Sequence, residues 1–180
     1  AVPRLTRRDL DRARKYCDAF AASANPMEWS DLNRAFHTAL YRASAAGVQI
    51  DLLVRGLCCL RPGQPGLSEN IRVRSILGRY LEHSRVVRFE HGEGDSPLFL
   101  IGSADWMGRN LDGRVEVAVP VTHPKHRDWL DQVFAFDLAD DIVRHELDAE
   151  GVWHRCGPAA FGDGDAQERF YRWVNDRQKA

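Results

Sequence analysis

At Gly47 the spacing of apolar residues changes, and the change divides the chain into two kinds of structure. Upstream, Trp29, Leu32, Phe36, Leu40 and Tyr41 recur at three- and four-residue intervals, the period of one helix face. That predicts a helix over about 28–46, ended by Gly47 in the left-handed conformation that glycine adopts without penalty. A capping box at Thr6 and Asp9 predicts an earlier helix over about 7–22, and Asn25-Pro26 separates the two. Downstream the period becomes that of strands. VQIDLLV (48–54) reads as a short buried strand, and CLRPGQPGLSEN (59–70) as a turn-rich loop. NIRVRSI (70–76) alternates apolar and polar residues, as a strand does at a sheet edge or with one solvated face. RVVRF and LFLIGS bracket the turn HGEGDSP, and RVEVAVPV (114–121) is a further strand. Pro124 opens an amphipathic helix to about 139, with Trp129, Leu130, Val133 and Phe134 inward. IVRHELD and VWHRC form a small hairpin, FGDGD a turn, and residues 166–178 a closing helix. Helices alternating with apolar strands define an α/β layer fold, and links of both hairpin and crossover length predict a mixed sheet.

A chain of 180 residues makes one domain of comfortable size. No apolar run approaches the roughly 20 residues that a membrane helix needs, and AVPRLTRRDL has no signal core, so a cytoplasmic protein without a transmembrane segment is expected. A formal net charge of −1 argues against a strongly basic nucleic-acid binder, and no DNA binding is expected. Lysine occurs only at Lys15, Lys125 and Lys179, so arginine carries nearly all the positive charge. A GC-rich coding sequence favours arginine too, but the guanidinium fork also suits phosphate and carboxylate oxygens. Cys17, Cys58, Cys59 and Cys156 contain no CxxC pair, and buried reduced thiols are the expectation.

The chemistry concentrates in the middle third. Arg55-Gly56 follows a strand at its carboxyl end, where α/β sheets place ligands. His83 and Arg85 precede one strand, and Gly102-Ser103 follow the next. Converging, these ends would make a pocket of guanidinium forks, an imidazole and a hydroxyl, suited to phosphate oxygens. An imidazole there can serve as acid, base or nucleophile. A histidine at a strand entrance also serves as a surface residue, and alternating arginines as a solvated strand face, so spacing alone leaves both readings open.

IDLLVRGLCCLRPGQPGLSENIRVRSILGRYLEHSRVVRF and IGSADWMGRNLDGRVEVAVPV together form a long, specific signature. From about Ala39 to Val121 the chain closely resembles the carboxyl-terminal catalytic domain of bacterial polyphosphate kinase, and residues 122–155 resemble it more loosely. The resemblance implies a phospholipase D-like α/β fold, a mixed sheet flanked by helices and preceded here by two amino-terminal helices. That superfamily's His-x-Lys and Gly-Ser-x-Asn motifs have counterparts in His83-Ser84-Arg85 and Gly102-Ser103-Ala104-Asp105. The resemblance further implies that Arg55 and His83 contact the phosphates of ATP or polyphosphate, with His83 as the assisting catalytic histidine. Arg85, Ser103 and Glu116 carry over more weakly. The family moves the terminal phosphate of ATP onto inorganic polyphosphate, reversibly and with Mg2+.

In that family the phosphorylated histidine and the magnesium-linked arginines lie in a preceding domain that this sequence does not contain, and nothing around His37 matches the missing motif. The chain is therefore expected to supply only the carboxyl-terminal half-site and to be inactive or weakly active alone. Its expected partners are ATP or ADP, polyphosphate, and a full-length polyphosphate kinase or further copies of itself. Around Leu32–His37 (LNRAFH) the first 40 or so residues resemble a fragment of the helical FCD domain of GntR-type transcription regulators. The sequence thus divides into an FCD-like helical segment, 1–46, and a polyphosphate kinase-like domain, 47–180, as a fused or truncated chain would. The alternatives are a polyphosphate- or nucleotide-binding module without catalysis, and a remnant ligand-sensing regulator domain.

Overall fold

The computed structural model describes residues 26–56, 58–90, 97–105, 114–159 and 164–179, with side-chain surroundings from Phe36 onward. The helix expected over 7–22, Cys17, and most of the HGEGDSP and FGDGD turns lie outside the described residues. In chain order the elements are α1 (Pro26–Ala45), β1 (Ile50–Leu53), β2 (Ile71–Ser75), β3 (Val86–Phe89), β4 (Leu98–Gly102), β5 (Ala118–Val121), α2 (Pro124–Asp137), β6 (Arg144–Leu147), β7 (Trp153–Cys156) and α3 (Ala166–Gln178). Pro26, read from sequence as a breaker, opens α1 instead, since the first turn of a helix leaves its N–H groups unpaired anyway. Gly47, at φ 88°, ends that helix, and the Val48 N–H returns to the Ala43 carbonyl at 3.0 Å.

The chain forms two compact units interleaved in sequence, one taking residues up to Gln49 with Ser84–Thr122, the other Ile50–His83 with His123–Ala180. The first holds α1 and an antiparallel sheet in the order β3-β4-β5. Phe99 of β4 is fully buried, and the Arg88 guanidinium lies 5.6 Å from its ring centroid. The strand expected over 114–121 shortens to its second half. There Pro120 faces Leu100, and among the described residues β5 pairs only with β4, the edge position that tolerates a residue lacking an N–H.

The second unit holds a mixed sheet in the order β1-β2-β6-β7. β1 and β2 are parallel, with Ile50 beside Ile71, whereas β6 runs antiparallel to both β2 and β7. The β6–β7 hairpin turns through Gly151 at φ 87°, where the Asp148 carboxylate accepts from the Glu150 and Val152 N–H groups. Ile71, Val73, Ile76, Ile142, Val143 and Ala166 are buried. α2 and α3 meet through Trp129, Phe136, Phe170 and Trp173, with Trp129 4.8 Å from Trp173 and edge-on to Phe170 at 5.7 Å. The inward face expected for α2 is only partly covered, and Trp129 keeps more than a third of its surface exposed. The mixed α/β character matches the sequence reading, with the strands divided between two sheets.

β2 departs from its sequence reading. It is an interior strand, and Arg74, read as part of a solvated face, is 2% exposed. Its guanidinium donates to the Leu138 carbonyl at 2.7 Å and to Asp140 at 2.6 Å, and lies 3.2 Å from Glu146. A buried guanidinium survives because several acceptors share it. It ties the end of α2 to the sheet. Arg72, one pleat away on the same strand face, is exposed and pairs with Asp51 across the β1–β2 ladder at 2.7 Å. No helix among the described residues is long and apolar enough to cross a membrane.

Candidate functional site

In the second unit, β1 ends at Leu53 and delivers Arg55 two residues later. The Arg55 Nη1 donates to the Glu82 carbonyl at 3.1 Å. That carbonyl belongs to the peptide bond leading into His83, so the guanidinium sits beside the histidine's own backbone. Both side chains are exposed. One bond uses one of five guanidinium donors, and the rest of the fork can meet anionic oxygens. His83 is the last residue of this segment in the second unit.

The remaining sequence-derived residues lie in the first unit, where they pair with one another. The Arg85 Nε and Nη2 each lie 2.9 Å from the Asp105 Oδ1, so the counterparts of the two superfamily motifs form an ion pair. An anion reaching Arg85 therefore shares it with a carboxylate. The Ser103 hydroxyl donates to Glu116 and accepts from the Val117 N–H at 3.0 Å. The sequence indicated each of these residues, but none of the pairings.

His37 lies on α1, partly buried, and burial lowers its pKa below the usual histidine value. Among the described residues no group of three or more His, Cys, Asp or Glu side chains is placed to hold a metal ion. Cys58 and Cys156 are partly buried free thiols, while Cys59 is exposed rather than buried as expected; in the chain, Cys59 sits where the turn-rich loop begins.

Two participants escaped the sequence reading. Gln167, on the first turn of α3, hydrogen-bonds the segment carrying His83. Asp137, the last residue of α2, has its carboxyl pKa pushed up to about 7, first by burial and then by the charge of Glu82. Nothing in an amphipathic helix ending in aspartate signals such a shift.

Asp137 makes stability depend on pH. Its carboxyl titrates near 3.8 when unfolded and near 7 when folded. Between those values the folded state holds a proton that the unfolded state has lost, so stability falls as pH rises, by up to about 1.4 kcal/mol per pH unit. Denaturation midpoints of wild type and Asp137→Asn across pH 4.5–7.5 should diverge, the asparagine variant gaining on wild type as pH rises. Parallel curves would remove Asp137 as the cause.

A mixed α/β domain of phospholipase D-like type, with an exposed arginine after a sheet strand bonded to the backbone that leads into an exposed histidine, is the class these observations define. The polyphosphate kinase C-terminal domain 2 family model matches residues 30–167, starting upstream of Ala39 and running through the Leu32–His37 stretch. The chain belongs to the polyphosphate kinase C-terminal domain family. It is 51% identical over 133 residues to a polyphosphate kinase of Streptomyces coelicolor, covering 74% of this chain and 18% of that protein. It is 48% identical over 141 residues to polyphosphate kinase 1 of Chlorobaculum tepidum, covering 78% of this chain and 20% of the relative. The crystal structure of polyphosphate kinase from Porphyromonas gingivalis superposes with a TM-score of 0.70 at 39% identity, over 81% of this chain and 22% of that one. The chain thus spans about a fifth of the length of these relatives.

Proposed function

We propose that this chain supplies the carboxyl-terminal half-site of a polyphosphate kinase, acting in the cytoplasm on ATP and inorganic polyphosphate. Arg55 binds phosphate oxygens, and His83 assists phosphoryl transfer as a hydrogen-bonding and proton-handling group. Such transfer needs little covalent chemistry from the protein beyond positioning and neutralisation of charge on the moving group. Magnesium enters as the ion carried by ATP. The observation that supports this reading is the 3.1 Å bond from the Arg55 guanidinium to the carbonyl before His83, which holds a cationic fork against the backbone leading into the histidine. Arg85 is a weaker phosphate ligand, because Asp105 already holds its guanidinium. The rest of the site comes from outside the residues of this sequence, and a full-length kinase or a further copy is the partner to test.

Labelled polyphosphate titrated against the purified chain should bind, and affinity should fall about tenfold between 50 and 200 mM salt if guanidinium–phosphate pairs dominate. ATP-dependent polyphosphate synthesis by the chain alone should be at or near background. Absence of binding at low salt defeats the proposal, and robust turnover by the isolated chain defeats its half-site form. Salt-sensitive binding without turnover, even beside a full-length kinase, would instead establish a binding module.

A further inference from the structure

We propose that Gln167 is the positioning residue for His83, its side-chain amide fastening the irregular, mostly exposed segment 78–83 to the start of α3. The proposal rests on the half-site reading for its functional consequence, though not for its geometry. Residues 78–83 form no helix or strand, and most are exposed, with Tyr80 at 52% and Leu81 at 76%. Such a stretch has little apolar burial to hold it, and its backbone groups need partners. The Gln167 Oε1 accepts from the Tyr80 N–H at 2.6 Å, and the Nε2 donates to the Tyr80 carbonyl at 2.7 Å. One amide thus satisfies both backbone groups of one residue, as a neighbouring strand would. The same Nε2 donates to the Glu82 carboxylate at 2.7 Å, one residue before His83. Arg55 takes the backbone carbonyl of Glu82 itself. Three anchors therefore fall on the four residues ending in the histidine.

The anchor itself is fixed. Gln167 is 7% exposed, and its own N–H bonds to the Asp165 cap at 2.9 Å, which leaves the side chain to reach outward. Its neighbour Ala166 is buried against Ile76 and Ile142. The approach also explains Gly78. A Cβ at that position would lie 2.5 Å from the Gln167 Oε1 and 2.7 Å from its Cδ, so the amide reaches the segment only across a residue without a side chain. A buried amide with its donor and acceptor both used, passing over a required glycine, is a built attachment.

The test uses the whole chain with labelled histidine and backbone nitrogen. In Gln167→Leu, which keeps the volume and loses the polar atoms, the Tyr80 amide should lose hydrogen-exchange protection about tenfold or more, and the His83 amide and imidazole resonances should shift, with the melting transition still cooperative. Glu82→Ala, which removes one of the anchors and leaves Gln167 intact, should shift His83 in the same direction by less. It keeps the test alive should Gln167→Leu fail to fold. Polyphosphate affinity should fall about fivefold in Gln167→Leu and by less than the product of the single effects when combined with Arg55→Ala. Unchanged His83 resonances in both variants would overturn the positioning role whatever happens to binding. Shifted His83 resonances in a chain that never binds polyphosphate would keep the attachment and defeat only the half-site reading.

Discussion

Gly157→Ala should cost the second unit about 4 kcal/mol or more, a large share of the roughly 5–15 kcal/mol that holds an ordinary domain. Gly157 follows β7 directly and has φ +89°, a left-handed conformation that strains any residue with a Cβ. The strain alone is worth about 1–2 kcal/mol. The larger part is contact. A Cβ there would overlap the Ile142 carbonyl oxygen and lie 2.8 Å from its carbonyl carbon and 3.3 Å from the Val143 Cα. These are backbone atoms leading into β6, and the Ile142 and Val143 side chains are in the core, so nothing nearby can give way. Gly151→Ala is the matching control. It shares the conformation, at φ +87°, but its Cβ meets nothing within 4 Å, so it should lose only the conformational part. Urea denaturation followed by tryptophan fluorescence measures both, and equal losses would remove the close approach as the cause.

The contrast between the surroundings of these two glycines marks which features the sequence carried. Local ones were readable: Gly47 ending α1, the β6–β7 hairpin and the start of α2 at Pro124 all follow from residues within a turn or two of each other. Features that depend on distant partners were not. IRVRS alternates like a half-solvated strand, and nothing in it shows that Leu138 and Asp140, more than 60 residues later, cover Arg74. The division of the strands between two sheets is likewise set by pairings such as Ser75 with His145. The candidate site follows the same rule. Arg55 and His83 stood out through the family resemblance, which attaches to their side chains; spacing alone left them open. Gln167 did not, because its partner at Tyr80 is backbone, 87 residues away, and any residue at 80 offers the same two groups.

Arg55→Ala should weaken polyphosphate binding by about 10- to 100-fold, the loss expected when a hydrogen-bonded charge pair of about 1.5–3 kcal/mol disappears. Arg55→Lys should fall between the two. The ammonium keeps the charge, so much of the salt dependence remains. It loses the planar fork, however, and cannot bridge two phosphate oxygens while also holding the Glu82 carbonyl. The alanine variant should instead bind with a salt dependence shallower by about one counterion. Diffuse attraction between an anionic polymer and any exposed arginine is the competing explanation, and Arg72→Ala isolates it. Arg72 is exposed in the same unit, but Asp51 already pairs with it at 2.7 Å, so its removal should leave affinity within about twofold. Equal losses at the two positions would reduce the interaction to general charge and take Arg55 out of the site. A large loss at Arg55 alone, graded through lysine, requires a phosphate oxygen beside the peptide that leads into His83.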